Sequence, residues 1–166
     1  VYGNFPGWGS TGPLKDRGSA DNTAQAFSGV VSTTGKKDGA GEFIRWYALH
    51  DFNASSYIVT TTLLGLLHRE RSGKGIKMEN AQVASSIAVQ TNRIAEFLAS
   101  GKNVLPMGSA CATTVPHQAF LCQDKKWLAV GVITDAQWRG LCKAIDIPEL
   151  LEDSRFATNP GRVKHR

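Results

Sequence analysis

The sequence predicts a mixed α and β protein in two parts, a mostly helical stretch followed by a smaller α+β part. Three observations carry this reading: helical apolar periodicity between about residues 22 and 101, a change after Pro106 to two short strand-like runs, and a capped helix behind them. With 166 residues the chain has room for one domain, or for one and a half small ones, and it can bury a real core.

Val1-Tyr2-Gly3-Asn4-Phe5 reads as the tail of a strand entering a Gly-rich loop. Gly7-Trp8-Gly9-Ser10-Thr11-Gly12 then fits GxGxxG, a loop that cradles a dinucleotide pyrophosphate when a helix opens directly behind it. Here Pro13 and polar residues follow, and no helix opens until the low twenties, so that reading is set aside. Ala24, Ala26, Phe27, Val30 and Val31 predict a helix over 22–34 that ends at Gly35, before a polar turn at Lys36-Lys37-Asp38-Gly39. From Asn53 to Arg71, Ala54, Tyr57, Ile58, Leu64 and Leu67 recur at helical spacing while Val59, Leu63 and Leu66 fill other faces. A helix that is apolar nearly all round is expected to be buried. Arg69 and Arg71 suit its C-terminal dipole, and Ser72-Gly73-Lys74-Gly75 ends it as a cap, lacking the first Gly and the Ser/Thr of a P-loop. Val83, Ile87, Thr91, Ile94 and Leu98 predict a second helix near 80–100, stopped at Ser100-Gly101.

Beyond Pro106, Phe120-Leu121-Cys122 and Trp127 to Ile133 read as two strands joined by the turn Gln123-Asp124-Lys125-Lys126. Thr134-Asp135-Ala136-Gln137 is a capping box, and Trp138, Leu141, Cys142 and Ile145 form the apolar face of the helix it opens. Asn159-Pro160 reads as a cap followed by proline at the first helical position. The boundary between the two parts falls between about 101 and 112, and we draw it at 105/106. Val1 is not a start methionine and the chain stops six residues after Pro160, which leads us to expect a piece of a longer polypeptide.

Nineteen Lys+Arg against fourteen Asp+Glu give a formal charge of +5, spread along the chain. This suits an anionic partner, and a phosphate-bearing small molecule fits it as well as nucleic acid does. Neither zinc-finger spacing nor a ribonucleoprotein motif is present, so nucleic acid is not the expected partner. Cys111, Cys122 and Cys142 are odd in number and lack CxxC or a nearby His pair, which points to reduced structural thiols and no metal. No run approaches the roughly 18 apolar residues that span a bilayer, and the expected location is the cytoplasm. His50, His68, His117 and His165 are scattered, and no triad can be built from them by spacing.

Asp51 is the acid that invites chemistry. It stands between the apolar Tyr47-Ala48-Leu49 and the small, polar Asn53-Ala54-Ser55-Ser56, at the start of the long helix. A carboxylate there meets the partial positive charge of unpaired backbone N–H groups. By itself that is the position of an ordinary helix-start acid.

The order of motifs decides between the two readings. Gly9-Ser10-Thr11-Gly12-Pro13-Leu14-Lys15-Asp16-Arg17, Asp21-Asn22-Thr23-Ala24-Gln25-Ala26-Phe27-Ser28-Gly29 and Thr34-Gly35 come first. Asp51 with its small neighbours, Leu63 to Gly75, Gln137 to Cys142 and Asp153 to Asn159 follow. Together they resemble the middle of the class III CoA-transferases, the group of formyl-CoA transferase and carnitine CoA-transferase, over nearly the whole chain. The resemblance implies an α/β fold class, with residues 1–105 part of a Rossmann-like large domain, mostly helical here, and 106–166 a small α+β domain truncated at its C-terminus. It implies a homodimer, an acyl-CoA donor, a carboxylic acid acceptor and coenzyme A thioester as co-substrate.

It further implies that Asp51 is the nucleophile. Its carboxylate attacks the thioester to give a mixed anhydride, the CoA thiolate returns to form an aspartyl-CoA thioester, and the acceptor acid collects CoA through a second anhydride. Backbone N–H groups nearby would serve the oxyanions of these steps. The related α-methylacyl-CoA racemases place a histidine where this chain has Ala20, which favours transfer over racemisation. Met107-Gly108-Ser109-Ala110 is the nearest match to the family's mobile Gly-rich loop, making Gly108 a candidate CoA contact, and Arg17 is a candidate for a CoA phosphate. The family's N-terminal half, which supplies most contacts to CoA, has no counterpart in these residues, so the isolated piece is expected to be inactive. A 2-methylacyl-CoA racemase of the same superfamily and a non-enzymatic structural or interaction fragment are the alternatives.

Overall fold

Tyr2–Asn4 forms a short strand, β1, in the computed structural model, which describes residues 1–45 and 47–166. The loop behind it crosses to α1, Asp21–Phe27, with Trp8 edge-on to Phe27 at 4.8 Å between ring centres. A second helix, α2, spans Val30–Thr33. The sequence predicts one helix over 22–34; two form because Gly29 adopts φ +84 between them, a left-handed conformation that interrupts the ladder.

The long helix α3 covers Leu49–Ser72 and ends at Gly73, which caps it through its N–H to the Arg69 carbonyl. It packs against α1, against β2 (Lys77–Glu79) and against α4 (Gln82–Ala88), with α5 (Thr91–Ser100) following. β2 pairs in parallel with β1, in the register Tyr2↔Lys77, Gly3↔Met78 and Asn4↔Glu79. Three residues are too few to carry a period-two signal, which is why this strand is absent from the sequence reading. Gly65 lets the strands approach: a Cβ there would lie 2.5 Å from Met78 Sδ and 3.0 Å from Val1 Cγ1.

Two expectations about these helices fail. The expected helix over 80–100 is divided at Val89 and Gln90, where the buried Gln90 amide donates to the carbonyls of Ser28 and Ser86. Of α3, only His50, Ala54 and Gly65 are buried, while Val59, Leu63 and Leu64 are more than half exposed. Periodicity reports which faces a helix can bury, and the described neighbours of α3 cover one side of it. That side is built from small and polar groups: Ala24, Ala54, Ser85 and Ser86 allow close approach, and Asn53 Nδ2 donates to the Ser85 carbonyl at 2.6 Å.

Val1–Pro106 is one compact unit and Met107–Arg166 a second. In the second, β3 (His117–Leu121) and β4 (Trp127–Gly131) form an antiparallel hairpin running from His117↔Gly131 to Leu121↔Trp127. β3 begins three residues before the expected run, β4 begins at Trp127 as expected and ends two residues before Ile133, and Lys125 at φ +63 makes the turn with Asp124 Oδ1 accepting the Lys126 N–H. The helices α6 (Asp135–Ala144), α7 (Glu149–Glu152) and α8 (Asn159–Lys164) complete it. Val132, Trp138 and Cys142 form its core, with Leu141, Ile147, Leu150 and Phe156 packed around them. Ile145, expected in the core face, follows the last turn of α6 and is exposed. Burial pushes the Cys142 thiol up, consistent with a structural cysteine.

The capping box predicted for α6 is present: Thr134 Oγ1 accepts the Gln137 N–H at 3.2 Å, and Gln137 Oε1 accepts the Thr134 N–H at 3.0 Å. Thr134→Ala is expected to destabilise this unit by about 1 kcal/mol in a urea titration. The cap of α8 is Thr158, not Asn159. Asn159 is otherwise engaged, accepting the Val115 N–H and donating to the Thr113 carbonyl.

Candidate active site around Asp51

Asp51 lies in the first turn of α3, as its sequence context predicts, although the helix begins at Leu49, ahead of the helical spacing expected from Asn53. Ala48 at the cap position has no side chain able to accept a hydrogen bond, so the helix end is satisfied from elsewhere. The Leu49 N–H donates to the Tyr47 carbonyl at 3.0 Å, and the His50 N–H donates to Asp21 Oδ1 at 2.7 Å. Asp21 is held by Gln25, whose Nε2 reaches Asp21 Oδ2 and the Ile44 carbonyl while its Oε1 accepts the Ile44 N–H. The buried Gln25 thus ties α1 to the segment leading into α3. These two N–H groups are committed to the fold.

The Asp51 side chain is exposed and is met by a hydrogen bond from α4. Gln82 Nε2 donates to Asp51 Oδ1, and Gln82 Oε1 accepts the hydroxyl proton of Ser19. No hydrogen bond reaches Asp51 Oδ2 among the described residues. The backbone of α4 is fastened beside this chain by Gln82 N–H to the Pro6 carbonyl at 3.1 Å and Val83 N–H to the Gly7 carbonyl at 3.0 Å. Gly7 is required there, since a Cβ on it would fall 2.1 Å from Ser19 Cβ. Sequence reading missed Gln82 and Ser19, which stand 31 residues after and 32 before Asp51 with no periodic relation to it.

The GxGxxG loop is spent on a structural contact. The Ser10 N–H donates to Glu79 Oε1 at 2.9 Å, Ser10 Oγ bonds Oε2 of the same carboxylate, and Asn4 Nδ2 reaches Ser10 Oγ at 3.1 Å. The Ser10 hydroxyl, then its backbone N–H, hold the Glu79 carboxyl below the usual range. A loop whose N–H already serves an internal carboxylate, with no helix opening behind it before Asp21, is not a pyrophosphate cradle.

His50 is 0% exposed, and neither ring nitrogen has a hydrogen-bond partner among the described residues. Burial lowers its pKa below the ordinary 6.5, against the opposing pull of Asp21 and then Asp51. The unfolded chain therefore takes up this proton first. The contribution of His50 to stability is whole above the ordinary value and is lost as the pH falls from there through the lowered folded value. A urea midpoint that declines between about pH 7 and pH 5 in the wild type, with a shallower decline in His50→Leu, is the expected result.

The other candidates lie apart from this cluster. Arg17 is an exposed turn residue whose N–H bonds the Leu14 carbonyl, and its guanidinium makes no ion pair among the described residues. Gly108 belongs to the Met107–Arg166 unit, in a turn at φ +63. A cavity of about 570 Å³ opens between Ser28, Ser32, Gln90, Phe97 and Leu105, and Asp51 does not line it. Among the described residues no group of His, Cys, Asp and Glu is arranged to hold a metal, and no helix is long and apolar enough to cross a membrane.

The model of CoA-transferase family III matches residues 1–166. The chain belongs to that family. Succinyl-CoA:glutarate CoA-transferase of Mus musculus is 33% identical over 100% of this chain and 38% of its own length. Succinate--glutarate CoA-transferase of Agrobacterium fabrum is 32% identical over 100% of the chain and 41% of its own. Among solved structures, a CAIB/BAIF family protein from Brucella suis superposes with a TM-score of 0.76 at 32% identity, over 100% of this chain and 43% of the other. Rv3272 of Mycobacterium tuberculosis gives 0.81 at 25% identity, over 98% and 41%. This family III chain therefore spans about two fifths of the length of the curated relatives it matches.

Proposed function

We propose that the complete protein transfers coenzyme A from an acyl-CoA donor to a carboxylic acid acceptor, with Asp51 as the nucleophile. The observation that carries the reading is the state of Asp51: an exposed first-turn carboxylate with Oδ1 held by Gln82 and Oδ2 without a hydrogen bond among the described residues. Family membership over the whole chain supports it, as do relatives named for exchange between succinyl-CoA and glutarate and between acetyl-CoA and oxalate.

In this mechanism Oδ2 attacks the thioester carbonyl, the C–S bond breaks, and CoA thiolate leaves a mixed anhydride. The thiolate then attacks Cγ of Asp51 and expels the donor acid, giving an aspartyl-CoA thioester. The acceptor carboxylate displaces the thiolate from Cγ, and the thiolate finally takes the acceptor acyl group and frees the aspartate. Each nucleophile is already an anion, so the sequence of steps calls for no metal. His50 is closed off from solvent and Ala20 has no titratable group, so neither supplies a second base for racemisation at an α-carbon. Arg17, exposed and without an ion pair among the described residues, suits a CoA phosphate, and Gly108, at a positive φ, is a candidate CoA contact. Residues 1–105 belong on this reading to the large domain and 106–166 to the small one of a cytoplasmic homodimer whose remaining residues complete the CoA site.

The test is to trap the intermediate in the complete protein with succinyl-CoA, using hydroxylamine. A hydroxamate confined to the Asp51 peptide is the expected result. Absence of an adduct under turnover, or solvent deuterium entering a 2-methylacyl-CoA without any acceptor acid, rejects transfer through Asp51.

A further inference from the structure

The steps at Asp51 require a hydrogen-bond donor at a particular atom. When the thiolate attacks Cγ of the anhydride, and again when the acceptor carboxylate attacks the aspartyl-CoA thioester, the carbonyl oxygen that stays on Asp51 becomes the oxyanion. The free first-turn N–H groups of a helix are the usual source of such a donor. In α3 those of Leu49 and His50 are bonded to the Tyr47 carbonyl and to Asp21.

Resting on the reading of Asp51 as nucleophile, we propose that Gln82 Nε2 is the oxyanion donor for the two tetrahedral intermediates centred on Cγ of Asp51, and that Ser19 sets its orientation. Gln82 Nε2 already donates to Oδ1, leaving Oδ2 as the attacking atom, so the donor is in place before charge develops. An amide has an acceptor end and a donor end of nearly the same shape. Turned around, Gln82 would present its oxygen to the carboxylate. Ser19 Oγ–H fixes the choice by donating to Oε1, and Ser19 can stand there because Gly7 lacks a Cβ. Gln82 is thus a catalytic residue, in contact with the reacting group, and Ser19 a positioning residue that acts through it. Bonds made and broken are those of the parent mechanism: S–Cγ forms as Cγ–Oδ2 breaks and the donor acid leaves, with the electron pair resting on Oδ1 in between.

The experiment follows formation of the Asp51–CoA thioester by rapid quench and mass spectrometry, in the complete protein with succinyl-CoA and no acceptor. Gln82→Leu is expected to form the thioester roughly 10²-fold more slowly than the wild type, with a similar KM for succinyl-CoA and an unchanged circular dichroism spectrum. Ser19→Ala slows the same step several-fold, also without moving KM. The double variant is no slower than Gln82→Leu, because both changes act through one hydrogen bond. Wild-type rates in Gln82→Leu, or a loss confined to KM, overturn the proposal while leaving Asp51 as nucleophile. If Gln82→Leu fails to fold, Ser19→Ala decides, and an unchanged rate there overturns it. A wild type that forms no Asp51 adduct with succinyl-CoA or with acetyl-CoA removes the parent reading itself.

Discussion

Asp51→Ala is expected to lower kcat for CoA transfer by at least about 10⁴-fold, the scale seen when a covalent nucleophile is removed. That loss corresponds to roughly 5 kcal/mol of transition-state stabilisation. The same substitution does little to the fold. Asp51 is exposed, its bond to Gln82 is at the surface, and a first-turn carboxylate contributes about 0.3–1 kcal/mol through the helix dipole. Activity and stability therefore separate by several kcal/mol, and a variant that melts near the wild-type temperature but does not turn over is the expected outcome. Asp51→Glu keeps the charge and moves it by about a bond length, which is expected to cost on the order of 10²-fold through misalignment with Gln82. Full turnover in Asp51→Ala, measured as succinyl-CoA consumed in the presence of glutarate, would falsify the mechanism.

Arg162→Ala is expected to remove a large part of the stability of the Met107–Arg166 unit and to lower its urea midpoint sharply. Arg162 is 1% exposed, its Nε donates to the Val115 carbonyl at 3.0 Å, its Nη1 to the Phe156 carbonyl at 3.0 Å, and its guanidinium lies 5.1 Å from the centre of the Trp138 ring. Its ion pair with Asp135 is long, and that partner is largely solvent-exposed, so it adds little. Truncation leaves two partly buried carbonyls without this donor and opens a void beside Trp138, a total of roughly 3–5 kcal/mol. Domains of this size have about 5–15 kcal/mol in all. Arg162→Lys is expected to recover less than half, because an ammonium cannot serve both carbonyls with the geometry of a guanidinium fork. A urea midpoint within error of the wild type for Arg162→Ala would show that these contacts are replaceable by water.

Local rules made much of the chain legible. Thr134 and Gln137 announce the start of α6, Gly73 and Gly101 the ends of α3 and α5, and the polar turn at 122–126 joins the hairpin strands, because each is settled by groups within a few residues. The rules err where a local signal competes with a distant one. Gln90 divides a helix that its apolar spacing continues, since its amide is claimed by Ser28, 62 residues away.

Asp51 shows the division most clearly. An acid at the head of a long helix, among motifs in family order, is a property of sequence, and with it came the family and the nucleophile hypothesis. What surrounds that acid is decided by tertiary structure. Asp21 caps α3 from another helix, His50 is buried in the first turn, and Gln82, 31 residues downstream, donates to one carboxylate oxygen of Asp51 while Ser19, 32 residues upstream, donates to the Gln82 amide oxygen. Helix periodicity and capping are set by backbone geometry within a few turns, so they are written in neighbouring residues. A hydrogen bond between side chains of different elements depends only on where the fold brings their atoms, and no spacing along the chain encodes it.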